Sequence, residues 1–269
     1  MNDVKKRIKA QTNIVVRQVR CLADDAAFNA ALSNNPLLAK AILVPILGRN
    51  DFEVKKAKTQ FVVEGHGGHG VRFDCLLRFD DGTYCDLEMQ KSSGEMNKER
   101  VMAYQDSLGR LTLRAGMDYK RRKPSLLVII NNGDIMEDNL PLYEIRPVVL
   151  QTGKVFYDKS AIYIANLKHK DGSTELGRLM TDLECEEPEK MHFAPLRKGL
   201  EMVKSKGGKN MMGRQMEKIC KEFREEGRVE GTTETLVKLV RSGRITVETA
   251  AEELGVSVES FRELMAAKA

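Results

Sequence analysis

A mixed α/β sandwich is predicted for this chain from three features. A hairpin signature runs from Val71 to Gln90 (VRFDCLLRFDDGTYCDLEMQ). A helical apolar stripe follows it. Ser125–Asn131 (SLLVIIN) is then almost wholly apolar, as befits a central strand covered on both faces. Helix, hairpin, helix and buried strand in succession fit a mixed sheet flanked by helices. The pattern turns helical from about Glu175, so a helical C-terminal extension is expected. The expected divisions are a basic N-terminal arm (1–23), an α/β core (24–175), a helical extension (176–240) and a small helix-turn-helix-like tail (241–269).

Each element has its own justification. The first twenty residues carry Lys5, Lys6, Arg7, Lys9, Arg17 and Arg20 against one acid, Asp3, which reads as a solvated arm able to touch phosphate. Asp24 and Asp25 before Ala26-Ala27-Phe28 mark a helix start. Asn34-Asn35-Pro36 breaks or re-caps that helix. Leu37–Leu47 is a second one, with Pro45 expected to kink or shorten it and Gly48 to end it. Phe52–Glu64 reads as one or two strands, with Lys55, Lys56 and Lys58 on a solvated face. The loop Gly65–Gly70 holds His66 and His69, but no third ligand has zinc-like spacing and no Walker Lys-Ser/Thr follows. A flexible turn is the better reading.

The hairpin carries the chemistry. Asp80-Asp81-Gly82 supplies a three-residue turn in which Gly82 takes a positive φ. Phe79 then pairs with Thr83, and counting outward sets Asp74 opposite Glu88. Cross-strand Cβ atoms lie about 4.5–5.5 Å apart. Arg72, Tyr84, Asp86 and Gln90 share that face, while Phe73, Cys75, Leu77, Cys85, Leu87 and Met89 point to a core. A slip to a two-residue loop would instead set Asp74 against Met89. Two carboxylates that close keep a proton or take a cation. Mg²⁺ or Mn²⁺ suits oxygen ligands and often takes one or two carboxylates plus a substrate phosphate. A metal-dependent phosphodiesterase is one reading; solvated acids on an exposed hairpin face is the other.

Beyond the hairpin, a helix is expected from about Glu95 to Ala115. Val101, Tyr104, Leu108 and Leu111 form its buried stripe, and Gly116 stops it. Arg100, one position off the stripe, either reaches back to grip a phosphate or pairs with Glu88 or Glu99. Lys120-Arg121-Arg122-Lys123, just before the apolar strand, suits a nucleic-acid backbone. Asn132-Gly133-Asp134 is a turn. Tyr143–Leu150, interrupted by Pro147, and Ala161–Asn166 are further strands. Lys204–Asn210 reads as a basic loop. Gly213–Val240 reads as a long helix, weakened at Gly227 and Gly231 and suited to self-association. Thr246 and Ser257 cap two short helices around Gly255, packed through Val247, Ala250, Ala251, Leu254, Val256, Phe261 and Leu264. Glu259 and Glu263 make the second a poor reader of DNA.

Composition sets outer bounds. The 269 residues are 42% hydrophobic and 31% charged, with a net charge of +5, which permits a nucleic-acid partner without demanding one. Five scattered cysteines form no CxxC and read as reduced thiols. No apolar run reaches a membrane span and no signal peptide opens the chain, so a cytoplasmic protein is expected.

Phe73-Asp74, the turn, Leu87-Glu88-Met89-Gln90, and then Arg100 and Tyr104 in a helix resemble the PD-(D/E)XK nuclease family transposases, also described as recombination-promoting nucleases. Asp25-Ala26-Ala27-Phe28 and the apolar run ending at Leu47-Gly48 are similar to the family's opening helices. Glu225-Glu226-Gly227-Arg228 with Glu230-Gly231, and Gly243–Gly255, are similar to its helical ends. The resemblance implies a restriction-endonuclease-like core that hydrolyses double-stranded DNA with Mg²⁺ or Mn²⁺. Asp74, Glu88 and the backbone carbonyl of Met89 would be the metal ligands, with a further helical acid near Asp25 or Glu53. Gln90 stands where many relatives have Lys, and a carboxamide can only hydrogen-bond. Gln90 would position the water, and Arg100 or Lys120–Lys123 would neutralise the backbone. Two rivals remain: a catalytically inactive DNA-binding protein of the same fold, and a non-enzymatic scaffold that oligomerises through its C-terminal helices.

Overall fold

The computed structural model describes residues 19–63, 70–92, 96–113 and 116–267 and, within these, the side chains of all but 216, 219, 220, 222–230 and 267. The His66–His69 loop and most of the basic arm lie outside the described residues. The chain divides into two compact units, with the break near Gly213.

The larger unit is built on a six-stranded mixed sheet. Two helices come first, α1 (Asp25–Leu32) and α2 (Pro36–Leu47). Asn35 caps α2 by accepting from the Leu38 amide, with Pro36 in the first turn, where its missing N–H costs nothing. The helix runs on past Pro45 to Gly48, whose φ of 62° stops it. The strands β1 (Val54–Val63), β2 (Val71–Phe79) and β3 (Tyr84–Gln90) lead to α3 (Lys98–Leu111), then β4 (Ser125–Asn131), β5 (Leu142–Ile145) and β8 (Ser160–Asn166), in spatial order β1-β2-β3-β4-β8-β5. The β3, β4 and β8 strands are parallel; β1, β2 and β5 run antiparallel to their neighbours.

Every residue of β4 is buried, as its apolar run predicts. On one face, Val101, Tyr104 and Leu108 of α3 pack on Leu127, Ile129, Ile162 and Ile164. A fully buried aliphatic or aromatic side chain of this kind contributes roughly 1.5–3 kcal/mol. Helices α1 and α2 pack on the sheet from β1 across to β8, and α4 (Glu175–Glu184) and α5 (Ala194–Lys204) pack on them in turn.

Four expectations need correction. The helix α3 is shorter than Glu95–Ala115, because Asn97 caps it by accepting from the Arg100 amide and the Thr112 amide closes its last turn on Gly109. Tyr143–Leu150 is not one strand. Beyond Pro147, β6 (Val148–Val149) leaves the sheet and pairs with β7 (Lys154–Val155) in a separate ribbon. The basic loop at Lys204–Asn210 is mostly helical, since α6 spans Lys206–Arg241 and only Ser205 breaks it from α5. Gly208 permits this corner: a Cβ there would collide with the Met202 and Val203 carbonyl oxygens. Val256 is exposed rather than core.

The second unit holds the C-terminal part of the chain. Leu236 and Val237 of α6 pack with Ala250 and Ala251 of α7 (Val247–Leu254) and Phe261 of α8 (Val258–Ala267). Thr246 and Ser257 accept from the Thr249 and Ser260 amides, and Gly255 turns at φ 71°. Among the described residues no single helix is long and apolar enough to cross a membrane.

Candidate active site

The turn fixes the register. Gly82 has φ 87°, the Gly82 amide bonds the Phe79 carbonyl, and the Phe79 amide bonds the Thr83 carbonyl. Asp81 stiffens the loop by accepting from the Thr83 amide and hydroxyl. Cys75 then faces Leu87 and Leu77 faces Cys85, the predicted pairing. The next step places Asp74 beside Glu88.

There the regular ladder gives way to side chains. The Asp74 amide donates to Glu88 Oε1 at 2.6 Å, and the Met89 amide donates to Asp74 Oδ2 at 3.1 Å. Each carboxylate is thus seated by a backbone N–H at the end of the β2–β3 pairing. Met89 has its side chain buried, so only its backbone serves the site.

The neighbouring strand contributes a residue the sequence reading missed. Gln60 of β1 lies opposite Asp74 by the β1–β2 register and donates from Nε2 to Asp74 Oδ1 at 3.2 Å. Its φ is 52°, a left-handed conformation rare for a non-glycine residue inside a strand. Strict alternation also fails here. Phe73 and Leu76, three apart on β2, both join the core under α3, and Phe73 meets Tyr104 at 5.9 Å between ring centroids. The twist at Gln60 and Asp74 therefore turns Phe73 under α3, away from the face that Cys75 and Leu77 share. Helix α1 closes on the other side, bringing Asp25 and Asn29 into the surroundings of Asp74. Of the two positions near which a further acid is expected, Asp25 lies close enough to Asp74 for its charge to act there. Glu53 pairs with Lys40 at 2.6 Å, and its amide bonds Asp80 at the hairpin turn.

Electrostatics mark the cluster. Burial pushes the Asp74 carboxyl up to about 6; the Met89 amide and the Gln60 and Asn29 side chains oppose the rise, and the charge of Asp25 adds to it. Glu88 is raised well above the usual carboxylate range by burial and by Asp86 and Asp74. Asp86, fully buried two residues before Glu88, is raised by burial and Asp74. Asp86 is buried beside Glu88, close enough for the two carboxyls to share a proton. Acids so placed hold a proton or take up a cation. The reading of solvated acids on an exposed face does not hold.

Gln90 is buried at the end of β3, on the strand face of Asp86 and Glu88. Arg100 reaches the same neighbourhood: its Nη2 lies 3.3 Å from the Tyr104 hydroxyl, which bonds the Arg72 carbonyl. Burial and the Glu88 charge push that phenol up to about 12. Lys91, next to Gln90, points elsewhere. Its ammonium pairs with Asp24 at 2.6 Å and lies 3.5 Å from Cys21 Sγ. Asp24 also accepts from the Arg20 and Cys21 amides instead of capping α1.

The structure does not bring Lys120, Arg121, Arg122 and Lys123 to the acids. Ser125, two residues beyond Lys123, pairs with Tyr84 at the opposite end of β3 from Glu88. Four residues of strand separate the two ends, roughly 13 Å. Arg122 is half-buried, donates to Thr112 Oγ1 at 3.0 Å and covers Gly109.

Among the described residues no group of three or more His, Cys, Asp or Glu side chains is disposed to hold a metal ion. The donor set is nonetheless that of a hard cation held by two carboxylates, with water and phosphate completing its shell. Asp74 and Glu88 supply oxygen donors at adjacent positions, and Asp86 packs a third buried carboxyl beside them, a crowding that a cation would relieve. These residues fit Mg²⁺ or Mn²⁺.

No curated protein and no solved structure matches the chain. Residues 32–186 match the family model described as PD-(D/E)XK nuclease family transposase. That match covers more than half of the chain and contains the hairpin with its two seated carboxylates. This chain belongs to the PD-(D/E)XK nuclease family transposases.

Proposed function

We propose that the protein is a metal-dependent endonuclease that hydrolyses phosphodiester bonds of double-stranded DNA. The observation that carries the reading is the interlocked pair of half-buried Asp74 and buried Glu88, adjacent and both pushed up in pKa. Asp74, Glu88 and the Met89 carbonyl would hold Mg²⁺ or Mn²⁺. The bound ion supplies charge neutralisation at a phosphoryl oxygen and a more acidic water. Gln90 orients the attacking water by hydrogen bonding, Gln60 holds Asp74 in place, and Arg100 neutralises the phosphate from the start of α3.

Nicking of supercoiled plasmid tests this. Wild type should nick with Mg²⁺ or Mn²⁺ and not in EDTA, and Asp74→Asn and Glu88→Gln should abolish it while circular dichroism stays unchanged. Wild-type rates in both variants would overturn the site.

Gln90 favours a second reading, a DNA-binding protein of the same fold that does not cut, because a carboxamide adds no positive charge where many relatives carry Lys. Gln90→Lys separates the two: nicking that appears only in that variant identifies a fold whose natural form binds alone. Self-association through α6–α8 is also proposed, to be measured by light scattering. The free cysteines Cys21, Cys75, Cys85 and Cys185 support a cytoplasmic location.

A further inference from the structure

The Tyr119–Lys123 turn and the β6–β7 ribbon form a surface that the acidic pair does not use. Tyr119 lies 84% exposed in a short 3₁₀ turn, Tyr119–Arg121, and Phe156 lies 77% exposed just after β7. Two contacts join the segments. The Lys159 ammonium lies 3.5 Å from the Lys120 carbonyl oxygen, and the Arg122 guanidinium lies 5.9 Å from the Tyr157 ring centroid. Each exposed ring is one residue away from such a contact. Leu150, at the tip of the ribbon, is exposed as well.

The charge here is concentrated. Residues 116–124 and 146–160 carry seven basic side chains and two acids, an excess equal to the net charge of the whole chain. Arg122 is engaged with Thr112 and Tyr157, and Arg146 with Glu144. Lys120, Arg121, Lys123 and Lys154 are exposed and Lys159 half-exposed. Lysines and arginines answer to phosphate, but phosphate does not explain the rings. A duplex hides its base faces in the stack, whereas unpaired bases present theirs. Aromatic side chains beside a cationic track are how proteins hold single strands without reading sequence.

We propose that this surface binds single-stranded nucleic acid, with Tyr119 and Phe156 stacking on unpaired bases and Lys120, Arg121, Lys123, Lys154 and Lys159 contacting the backbone. The site stands without the nuclease reading.

Fluorescence anisotropy in EDTA tests it, with a labelled twelve-nucleotide single strand and the matching duplex as probes. Wild type should bind the single strand more tightly. Tyr119→Ala and Phe156→Ala should each weaken that binding about tenfold while leaving the salt dependence unchanged, and Tyr119→Trp should retain it. Lys154→Gln with Lys159→Gln should flatten the salt dependence. Unaltered thermal melting in these surface variants shows that the fold persists. Equal affinity for strand and duplex, indifference to both ring substitutions, or no binding by wild type would each overturn the proposal. Asp74→Asn serves as the separating control: it should lose nicking and keep single-strand binding.

Discussion

The backbone amide of Asp74 points at the carboxylate of Glu88, 2.6 Å away, while the Asp74 carboxylate accepts from the residue after Glu88. The two acids are locked by main-chain donors on opposite strands, so neither can swing out to solvent without breaking the end of the hairpin.

Loss of either carboxylate should therefore remove catalysis without unfolding the protein. Asp74→Asn and Glu88→Gln keep the shape and remove the charge. Plasmid nicking should fall at least about 100-fold, the scale on which one preorganised electrostatic contact acts.

The same acids should cost stability at neutral pH. Burial pushes the Asp74 carboxyl from its ordinary 3.8 up to about 6 in the fold. Between those values the folded state holds a proton that the unfolded chain has released. Stability thus falls as pH rises from about 4 to 6 and stays lowered above, by on the order of 3 kcal/mol from this group. Glu88 and Asp86, also raised, extend the loss to higher pH. In EDTA, thermal melts should show Asp74→Asn more stable than wild type at pH 8 and no different at pH 4.

Metal uptake should release protons. Below pH 6 the ion must displace a proton from Asp74, so Mg²⁺ affinity should weaken by about tenfold per pH unit for each proton displaced. Isothermal titration calorimetry in buffers of different ionisation enthalpy reads the proton count directly. A count of zero at pH 5.5 would contradict the assignment of Asp74 as a ligand.

Gln60 should separate strain from positioning. Gln60→Val places a β-branched side chain at φ 52° and should destabilise by about 2 kcal/mol. Gln60→Gly relieves the backbone but removes the hydrogen bond to Asp74. It should melt close to wild type and bind Mg²⁺ more weakly, with Gln60→Asn intermediate.

Two adjacent glycines should respond with opposite signs. A Cβ at Gly207 meets nothing nearer than Ser205 Oγ at 3.7 Å, so Gly207→Ala should stabilise by up to about 1 kcal/mol through helix propensity. Gly208→Ala forces the α5–α6 corner open against backbone carbonyls and should destabilise by about 2 kcal/mol or more. Chemical denaturation measures both.

The hairpin was legible because its turn chemistry is local: Asp81 and Gly82 specify the loop, and a period of two does the rest. The α3 stripe and the buried β4 were legible for the same reason. What escaped was non-local. Nothing near Gln60 in sequence announces a left-handed strand residue, because the partner that holds it lies fourteen residues on. The β6–β7 ribbon escaped because a proline inside an apolar run does not by itself say whether it interrupts the strand or ends it. The KSKGGKN stretch has the composition of a loop, and only the close packing of α5 and α6 makes its second glycine a helical necessity.

The Lys91–Asp24 ion pair ties the segment entering α1 to the exit of β3. That same helix carries Asp25 and Asn29 to Asp74. Helix and strand end are thus yoked like two jaws on one pin, and the lysine adjoining the motif serves as the pin rather than as a tooth. Cutting that link with Lys91→Met would leave every acid in place yet loosen their spacing. A chain that has given its nearest ammonium to mechanical duty must draw any positive charge for the proposed reaction from elsewhere, and Arg100, 3.3 Å from the Tyr104 hydroxyl, is the side chain the proposal assigns to it.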